Sequence, residues 1–516
     1  MLERSTLLPN NKASSQTVRL PLDALVIDRS SREPIQQQIY LALRDLILRR
    51  VLTAGLKLPS SRELSKYLTV SRNTVVRAYE QLNSEGYVET RQGSNTYVVD
   101  LPAASPAAAV VGQREVVQNT SRFLKTFDDV QRFEFSENYV SLRPSTPDVS
   151  SFPFKTWNRI LGRYLIHRSL DLFYYNYNLG YPPLQEAIAN YLQAYRGVRC
   201  EPDQVIVTNG AQAGLDLLSR ALLDEGDVVW MEEPGYVNAR IVFQAAGARL
   251  KPLNVASTGW DLSNPPEEVA AIYTTPSCQH PLGLTMLMEQ RLRLLEIADR
   301  KAAWIIEDDF DSEYRSTGRS IPAMQGHDDY GRTIYVGTFA KTLFPSIRIG
   351  FLVLPRSLCQ SVKRAAQFCG HQVSLPLQAT LTDFILEGHF ARHLRRMRRL
   401  YAQRREHFLR ISRELLGKWL EPYEADVGIQ IAFRFLRDVD DAAIARKANE
   451  ANLNVIPLSR YSQSDKPLRG FLLGYVALDE RRMQSYLSQL ADIVSRSLDP
   501  SPGRQETETA VIADQS

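Results

Sequence analysis

Two apolar runs end in residues that could do chemistry. Ile334, Tyr335 and Val336 read as a short buried strand; Gly337 and Thr338 open a loop after it, and Lys341 stands in that loop. Arg348 follows seven residues on, ahead of a second strand-like run over 349–354. A lysine between buried strands loses hydration, which lowers its pKa, and a neutral amine forms a Schiff base with an aldehyde. The Thr338 hydroxyl and the Arg348 guanidinium suit a phosphate. A third run, 303–306, leads straight into Glu307-Asp308-Asp309. A carboxylate at a strand end, here Asp308, can pair with a protonated pyridine nitrogen, and Tyr236 could stack on the ring. Aldehyde, phosphate and pyridine together describe pyridoxal phosphate held on Lys341. Each residue also has a plainer reading. Lys341 could be a surface lysine of a βα loop, and the acidic run 307–313 could be a solvated cluster or bind a metal, although it contains no histidine.

The elements that must position these residues alternate in type. Residues 205–208 read as a buried strand, and Asn209-Gly210-Ala211-Gln212-Ala213 leads into a helix over 215–223. A glycine-containing loop at a helix N-terminus is an anion site. Residues 227–231 and 271–274 read as further strands and 289–301 as a helix. Such alternation predicts an α/β domain over residues 134–498, with a mostly parallel sheet and ligand residues at strand ends.

The N-terminal part has a different grammar. Ile35, Ile39, Leu43 and Leu46 repeat at helical spacing, so 34–50 reads as an amphipathic helix with Pro34 in its first turn. Leu58-Pro59-Ser60-Ser61-Arg62-Glu63-Leu64 is a turn into a second helix with a serine cap. Ser71 caps a third, on which Val75, Tyr79 and Leu82 share a face. Gly86 ends that helix, and 87–90 and 96–99 read as two strands around Gln92-Gly93-Ser94-Asn95. Three helices and a hairpin over residues 31–98 describe a winged helix-turn-helix. The third helix would enter a major groove, with Arg72, Asn73 and Thr74 at bases or phosphates. Arg62 would hold a phosphate, and the hairpin at Arg91-Gln92-Gly93 would touch the backbone or minor groove. A three-helix protein-interaction module is the alternative. Charge favours DNA: this segment has ten Lys/Arg against six Asp/Glu, an excess equal to the +4 of all 516 residues.

Between the modules, residues 100–133 are rich in small residues and proline and read as a flexible linker. The tail, 499–516, reads as disordered. Composition is that of a soluble globular protein, 44% hydrophobic and 23% charged. Cys200, Cys278, Cys359 and Cys369 show no zinc or CxxC spacing, which suits a reducing cytoplasm. The N-terminus lacks a signal-peptide apolar region, and no apolar run approaches a membrane span. Seven arginines and no acid lie between His389 and Arg405; Arg392, Arg395, Arg396 and Arg399 share a helical face. A solvated face is the expectation there, an auxiliary DNA contact the alternative.

The N-terminal motifs, from Pro34-Ile35 through Leu58–Leu64, Val70–Val75 and Gly86-Tyr87 to Gly93-Ser94, resemble the GntR-type winged-helix pattern, with Asn95 where the family usually has glycine. The large module resembles a fold-type I aminotransferase, through Val207–Gln212, Glu233–Tyr236, Thr275–Ser277, Glu307–Asp309, Asp311–Glu313 and Gly337–Lys341 to Gly350. The whole chain, about 31–490, is similar to the MocR/GabR family of regulators. The resemblance implies Lys341 as the cofactor lysine, Asp308 as the pyridine partner, and Ala211, Gln212, Thr338 and Arg348 as a phosphate cup. It further implies Tyr236 stacked on the ring, Tyr175 leaning in from a second subunit of a homodimer, and Arg460 anchoring an effector carboxylate. Phe310 stands where the family usually has a tyrosine that donates to the cofactor's phenolic oxygen; His280 lies near another donor position and could compensate. Cys278 replaces a common histidine, Asn238 replaces an arginine of the GABA-responsive member, and 176–180 departs from the usual Gly-Asp-Pro-x-Gly.

The expected function is a DNA-binding transcriptional regulator that senses an amine or amino-acid effector through pyridoxal phosphate and binds an operator with two half-sites. A working aminotransferase carrying a DNA-binding domain is the alternative, and a DNA-binding protein with a large dimerisation scaffold is a third.

Overall fold

The structure, a computed structural model, describes residues 25–91, 95–101, 121–127, 138–166, 170–174, 177, 179–315, 321–369 and 372–498. The chain divides between residues 118 and 119 into two compact units. Most of the expected linker (102–120 and 128–133), residues 134–137 and the tail 499–516 lie outside the described residues.

In the N-terminal unit, α1 (Ile35–Leu48), α2 (Ser61–Leu68) and α3 (Arg72–Ser84) precede the antiparallel strands β1 (Val88–Arg91) and β2 (Asn95–Val98). Local chemistry sets each boundary. Ser60 and Glu63 form a capping box, each side chain bonded to the other's backbone N–H, at 3.2 and 2.8 Å. Thr69 closes α2 in the left-handed region, and the Ser71 hydroxyl accepts from the Thr74 N–H at the start of α3. Ile39, Leu43, Leu64, Val75, Ala78 and Leu82 are buried together, so the apolar stripes read from the sequence face one core.

The C-terminal unit begins its described part with a short helix, α4 (Arg122–Lys125), inside the segment expected to be linker. Then come α5 (Phe154–Ile166), α6 (Pro182–Arg196), β3 (Val205–Thr208), α7 (Gly210–Leu222), β4 (Val228–Glu233), α8 (Val237–Ala245), β5 (Arg249–Ala256), β6 (Gly259–Trp260) and β7 (Ala271–Thr274). They are followed by α9 (Met288–Arg300), β8 (Trp304–Asp309), β9 (Thr333–Thr338), β10 (Gly350–Val353), α10 (Arg356–Phe368), α11 (Leu375–Leu386) and the long α12 (His389–Leu416). Among the described residues the larger sheet has the order β3-β10-β9-β8-β7-β4-β5-β6. Strands β9, β8, β7, β4 and β5 are parallel, and β10 runs antiparallel between β3 and β9. A smaller antiparallel sheet is built from β11 (Leu420–Pro422), β12 (Gln430–Phe435), β13 (Ile456–Pro457) and β14 (Gly470–Gly474), with α13 (Asp441–Glu450) and α14 (Glu480–Leu498).

Two expectations need correction. Gly337 and Thr338 do not open a loop; they pair with Phe351 and Gly350 of β10. A Cβ at Gly337 would come within 2.3 Å of the Phe351 ring, so glycine lets the strand run on to the turn that holds Lys341. The acidic run is not solvated: Glu307, Asp308, Asp309 and Asp311 are buried, and β8 extends through Asp309. Of the seven arginines on α12, Arg392, Arg395, Arg396 and Arg399 are exposed as expected, but Arg398, Arg404 and Arg405 are partly buried and donate to the carbonyls of Glu313, Val476 and Ala425.

Candidate functional site

The C-terminal ends of the parallel strands open into a cavity of about 210 Å³, and seven of the residues singled out from the sequence line it: Ala211, Gln212, Tyr236, Asp308, Thr338, Lys341 and Arg348. Lys341 sits in the turn after β9. Its amine donates to the Ser145 carbonyl at 2.7 Å, and burial pulls its pKa down to about 8 against the opposing pull of Asp311. Asp308 enters from β8. The Tyr273 hydroxyl donates to its Oδ2 at 2.7 Å, while its Oδ1 is buried and has no hydrogen-bond partner among the described residues. Burial pushes this carboxyl up to about 7.

The neighbouring carboxylates hold the strand end in place. Asp309 accepts from Arg196 at 2.8 Å and from the Tyr335 hydroxyl at 2.5 Å. Glu307 accepts from the backbone of Met324 and Gln325, and Asp311 accepts from the Ile429 N–H, each at 2.8 Å. These partners offset part of the cost of burying several acids beside one another, although Asp309 Oδ1 and Asp311 Oδ1 find no hydrogen-bond partner among the described residues.

At the other end of the cavity α7 begins at Gly210 without a side-chain cap on its N–H groups, so its first turn is open to an anion. Arg348, itself in the left-handed region at φ 51°, lies against this turn and donates to the Asn209 carbonyl at 3.2 Å. Gly210 has φ +79°, and a Cβ there would stand 3.5 Å from the Arg348 guanidinium carbon. The uncapped helix start, a guanidinium and the Thr338 hydroxyl suit a phosphate. The unpartnered Asp308 oxygen suits a protonated ring nitrogen, and Lys341 supplies the amine. The donor set therefore fits pyridoxal phosphate.

His280 lies where the cavity meets a second chamber. Its ring meets those of Tyr236, Phe310 and Tyr461 edge-on at 5.3, 5.4 and 5.0 Å, and burial lowers its pKa to about 3, so the imidazole is neutral. The Ser145 hydroxyl donates to Gln430 Oε1 at 2.9 Å, which turns the Gln430 amide nitrogen towards His280 Nδ1, 3.3 Å away. With Nδ1 accepting, the imidazole hydrogen sits on Nε2. Arg460 does not line the first cavity; it lines the second chamber, with Asn238, Arg143 and Lys341. Tyr175 lies outside the described residues. Ser145, Gln430, Tyr273 and Arg143 were missed by sequence reasoning. They lie on no motif, and only Ser145 is locally unusual, a non-glycine at φ 59°.

In the N-terminal unit Arg62, Ser71, Arg72 and Asn73 are exposed and Thr74 is half-buried, around the start of α3. Arg72 Nε donates to the Ser61 hydroxyl at 3.2 Å, which ties the two helix starts together. The Ser71 hydroxyl is engaged in its cap. Gly93 lies outside the described residues.

A winged helix-turn-helix followed by an aminotransferase fold with a lysine, an aspartate and a phosphate-type cradle in one cavity defines a class: a DNA-binding head on a pyridoxal-phosphate domain. Residues 35–98 match the model of bacterial regulatory proteins of the gntR family, and residues 159–466 that of aminotransferase class I and II. The chain is 47% identical over 468 residues, 90% of its length and 95% of the relative's, to the protein of Rhizobium meliloti named "probable rhizopine catabolism regulatory protein MocR". It is 30% identical to the pyridoxine biosynthesis transcriptional regulator PdxR of Corynebacterium glutamicum, over 91% of this chain and 99% of that one. The fold is that of the kynurenine aminotransferase of Pyrococcus horikoshii, with TM-score 0.65 at 23% identity, covering 75% of this chain and 97% of that one. The chain belongs to the MocR-type family of transcriptional regulators, in which a GntR-type DNA-binding unit is joined to a pyridoxal-phosphate-binding domain of the aminotransferase class. Among the described residues no helix is long and apolar enough to cross a membrane.

Proposed function

We propose that the large unit senses an amine or amino-acid effector at Lys341 and that this controls operator binding by the N-terminal unit. The observation that carries the reading is the single cavity in which a desolvated lysine amine, a buried aspartate with one unpartnered oxygen and an uncapped helix start face one another. Bound there, pyridoxal phosphate supplies an aldehyde for an amine and an electron-withdrawing ring. In this reading Asp308 keeps the ring nitrogen protonated, with Tyr273 fixing the carboxylate's orientation. Ala211, Gln212, Thr338 and Arg348 hold the phosphate. Tyr236 covers the ring, and Arg460 takes an effector carboxylate in the second chamber. Phe310 offers no donor beside the ring, whereas neutral His280 can offer its Nε2 hydrogen. A site with fewer proton-handling groups suits recognition better than rapid turnover.

The proposed assembly is a homodimer that reads two DNA half-sites. It is supported by a run of large apolar side chains left exposed on one segment: Leu165, Ile166, Leu170, Phe173, Tyr174 and Tyr177. Tyr175, in the same segment, would reach the partner's cavity. The α3 start, with Arg72, Asn73 and Thr74, would face bases or phosphates, with Arg62 and Gly93 at the backbone.

Borohydride reduction of the holo-protein, followed by peptide mapping, tests the cofactor assignment; the label is expected on the peptide containing Lys341, and a label on another lysine overturns it. Lys341→Ala should abolish both the visible absorbance band and the effector's influence on operator binding, while operator binding itself persists. Brisk multiple turnover of an amino acid with a 2-oxo acid would replace the sensor reading by a working aminotransferase.

A further inference from the structure

The imidazole of His280 is fixed in place by its surroundings. Its backbone N–H donates to Thr275 Oγ1 at 3.0 Å and its carbonyl accepts from Gln279 Nε2 at 2.8 Å. The rings of Tyr236, Phe310 and Tyr461 meet it edge-on. It lines both chambers, and its Nε2 makes no hydrogen bond among the described residues. What that nitrogen can do depends on where the ring's single hydrogen sits. On Nε2 the hydrogen is available to a ligand in the cavity; on Nδ1 it leaves Nε2 an acceptor.

Two residues remote in sequence bear on that choice. Gln430, buried on β12, brings its amide nitrogen to 3.3 Å from His280 Nδ1, while its Oε1 accepts from the Ser145 hydroxyl at 2.9 Å. A reversed amide would set Oε1 against Nδ1 and draw the hydrogen there. It would also turn the amide hydrogens towards Ser145 and leave the serine's own hydrogen without an acceptor, because Gln430 is the one partner of that hydroxyl among the described residues. An unpaired donor in a partly buried place carries a desolvation cost. Ser145 holds φ 59°, which a glycine would adopt without strain, so the hydroxyl is present at a conformational cost. The carbonyl of the same residue accepts from the Lys341 amine at 2.7 Å. The titratable and charged groups around the imidazole are Lys341, Asp308, Tyr236 and Tyr461, with Arg143 and Arg460 in the second chamber.

We propose that Ser145 and Gln430 are positioning residues of the cofactor site: the Ser145 hydroxyl orients the Gln430 amide, and the amide keeps the His280 hydrogen on Nε2, where it serves the cofactor's phenolic oxygen. This rests on the donor role proposed above for His280 and adds the two residues that make it a donor. A donor to that oxygen lowers the pH at which the holo-protein's visible band titrates, so loosening the Gln430 amide raises it.

The test has two arms, both on the full-length protein. In the cofactor-free protein, with histidine labelled at its ring nitrogens, nitrogen NMR near neutral pH reads which nitrogen carries the hydrogen; the His280 signals are those lost in His280→Phe. The wild type should carry it on Nε2. Ser145→Ala, which removes only the hydroxyl, should show a second population with hydrogen on Nδ1, and so should Ser145→Gly, whose backbone suits the left-handed turn. In Gln430→Met the same substitutions should change nothing further. Hydrogen on Nδ1 in the wild type, or serine variants with the wild-type spectrum, overturns the proposal. In the second arm the visible band of the holo-protein is titrated with pH. Halving the Nε2–H population is a twofold effect, so Ser145→Gly should raise the titration by about 0.3 pH units. The shift should vanish when the substitution is made in His280→Phe. A shift of equal size in that background would mean that Ser145 acts through its carbonyl on Lys341, and overturns the proposal. A band that titrates unchanged in His280→Phe strikes the donor role of His280 instead, and the nitrogen spectra then decide on Ser145 and Gln430 alone.

Discussion

Replacing Asp308 by asparagine should have opposite effects on the cofactor-free and cofactor-bound protein. Burial raises this carboxyl from its ordinary 3.8 to about 7. The folded state thus keeps its proton longer than the unfolded chain, and stability is lost as pH rises from 3.8 through about 7, then stays level. At about 1.4 kcal/mol per pH unit, the ionised carboxylate costs the cofactor-free fold about 4 kcal/mol at pH 8. A carboxamide cannot ionise, and its oxygen can still accept the Tyr273 hydroxyl that now lies 2.7 Å from Oδ2. Cofactor-free Asp308→Asn should therefore melt higher than the wild type at pH 8. With about 2 cal/mol/K of unfolding entropy per residue, the gain is on the order of 5 °C for a unit of this size, and it should shrink at pH 5. With pyridoxal phosphate present the sign reverses. In the proposed site the carboxylate would then face a protonated ring nitrogen in a charge-assisted bond of about 1.5–3 kcal/mol, so the variant should bind the cofactor about ten- to a hundredfold more weakly. Scanning calorimetry at the two pH values, with and without cofactor, and an absorbance titration read both effects. Equal melting of the two cofactor-free proteins at pH 8, or undiminished cofactor affinity in the variant, would refute the reasoning.

Ser60→Ala removes one half of the capping box and should destabilise α2 by about 1 kcal/mol, seen as faster amide exchange across 61–68; unchanged exchange would contradict the cap's role. Arg72→Ala should weaken operator binding by about 1–3 kcal/mol if the side chain reads a base, whereas Arg62→Ala should weaken operator and random DNA alike; fluorescence anisotropy on both DNAs separates them, and equal losses for Arg72 would make it a phosphate contact. Phe310→Tyr places a phenol beside the neutral His280 and should lower the pH at which the holo-protein's visible band titrates; an unchanged titration would show that His280 already fills the donor role.

What could be read from the sequence is what local chemistry fixes. The capping residues, the left-handed turn at Thr69 and the apolar stripes of α1 and α3 lie within a few residues of what they control, so the winged helix was legible throughout its described part. Lys341 and Asp308 were legible because each sits at the end of an apolar run, and a parallel sheet gathers such ends into one crevice. The boundaries of β8 and β9 were not, because pairing with neighbouring strands carries both past their apolar residues, through Asp309 and Thr338. The burial of the acidic run depends on Arg196, Tyr335 and Ile429, none of them close by in sequence. The remaining site residues are more remote still. Ser145 lies 196 positions before Lys341, and Gln430 lies 150 after His280, so only the assembled sheets bring them together.

That remoteness bears on how a sensor could work. The Lys341 amine is hydrogen-bonded to the Ser145 carbonyl, so a change in the bonding of that amine alters the contact with this segment. The same segment joins the smaller sheet through Leu142 and carries Arg143 into the second chamber. Three residues beyond Ser145, the Asp148 N–H donates to the Tyr401 hydroxyl at 2.9 Å and its carboxylate pairs with Arg404 at 2.8 Å, which ties the segment to the middle of α12. Through its own hydroxyl, Ser145 also sets the orientation of Gln430 and hence the tautomer of His280. One segment thus touches the Lys341 amine, the second chamber, the smaller sheet and the long helix α12. An effector that binds more tightly to one arrangement of this segment than to another must shift the equilibrium between them by that difference in affinity.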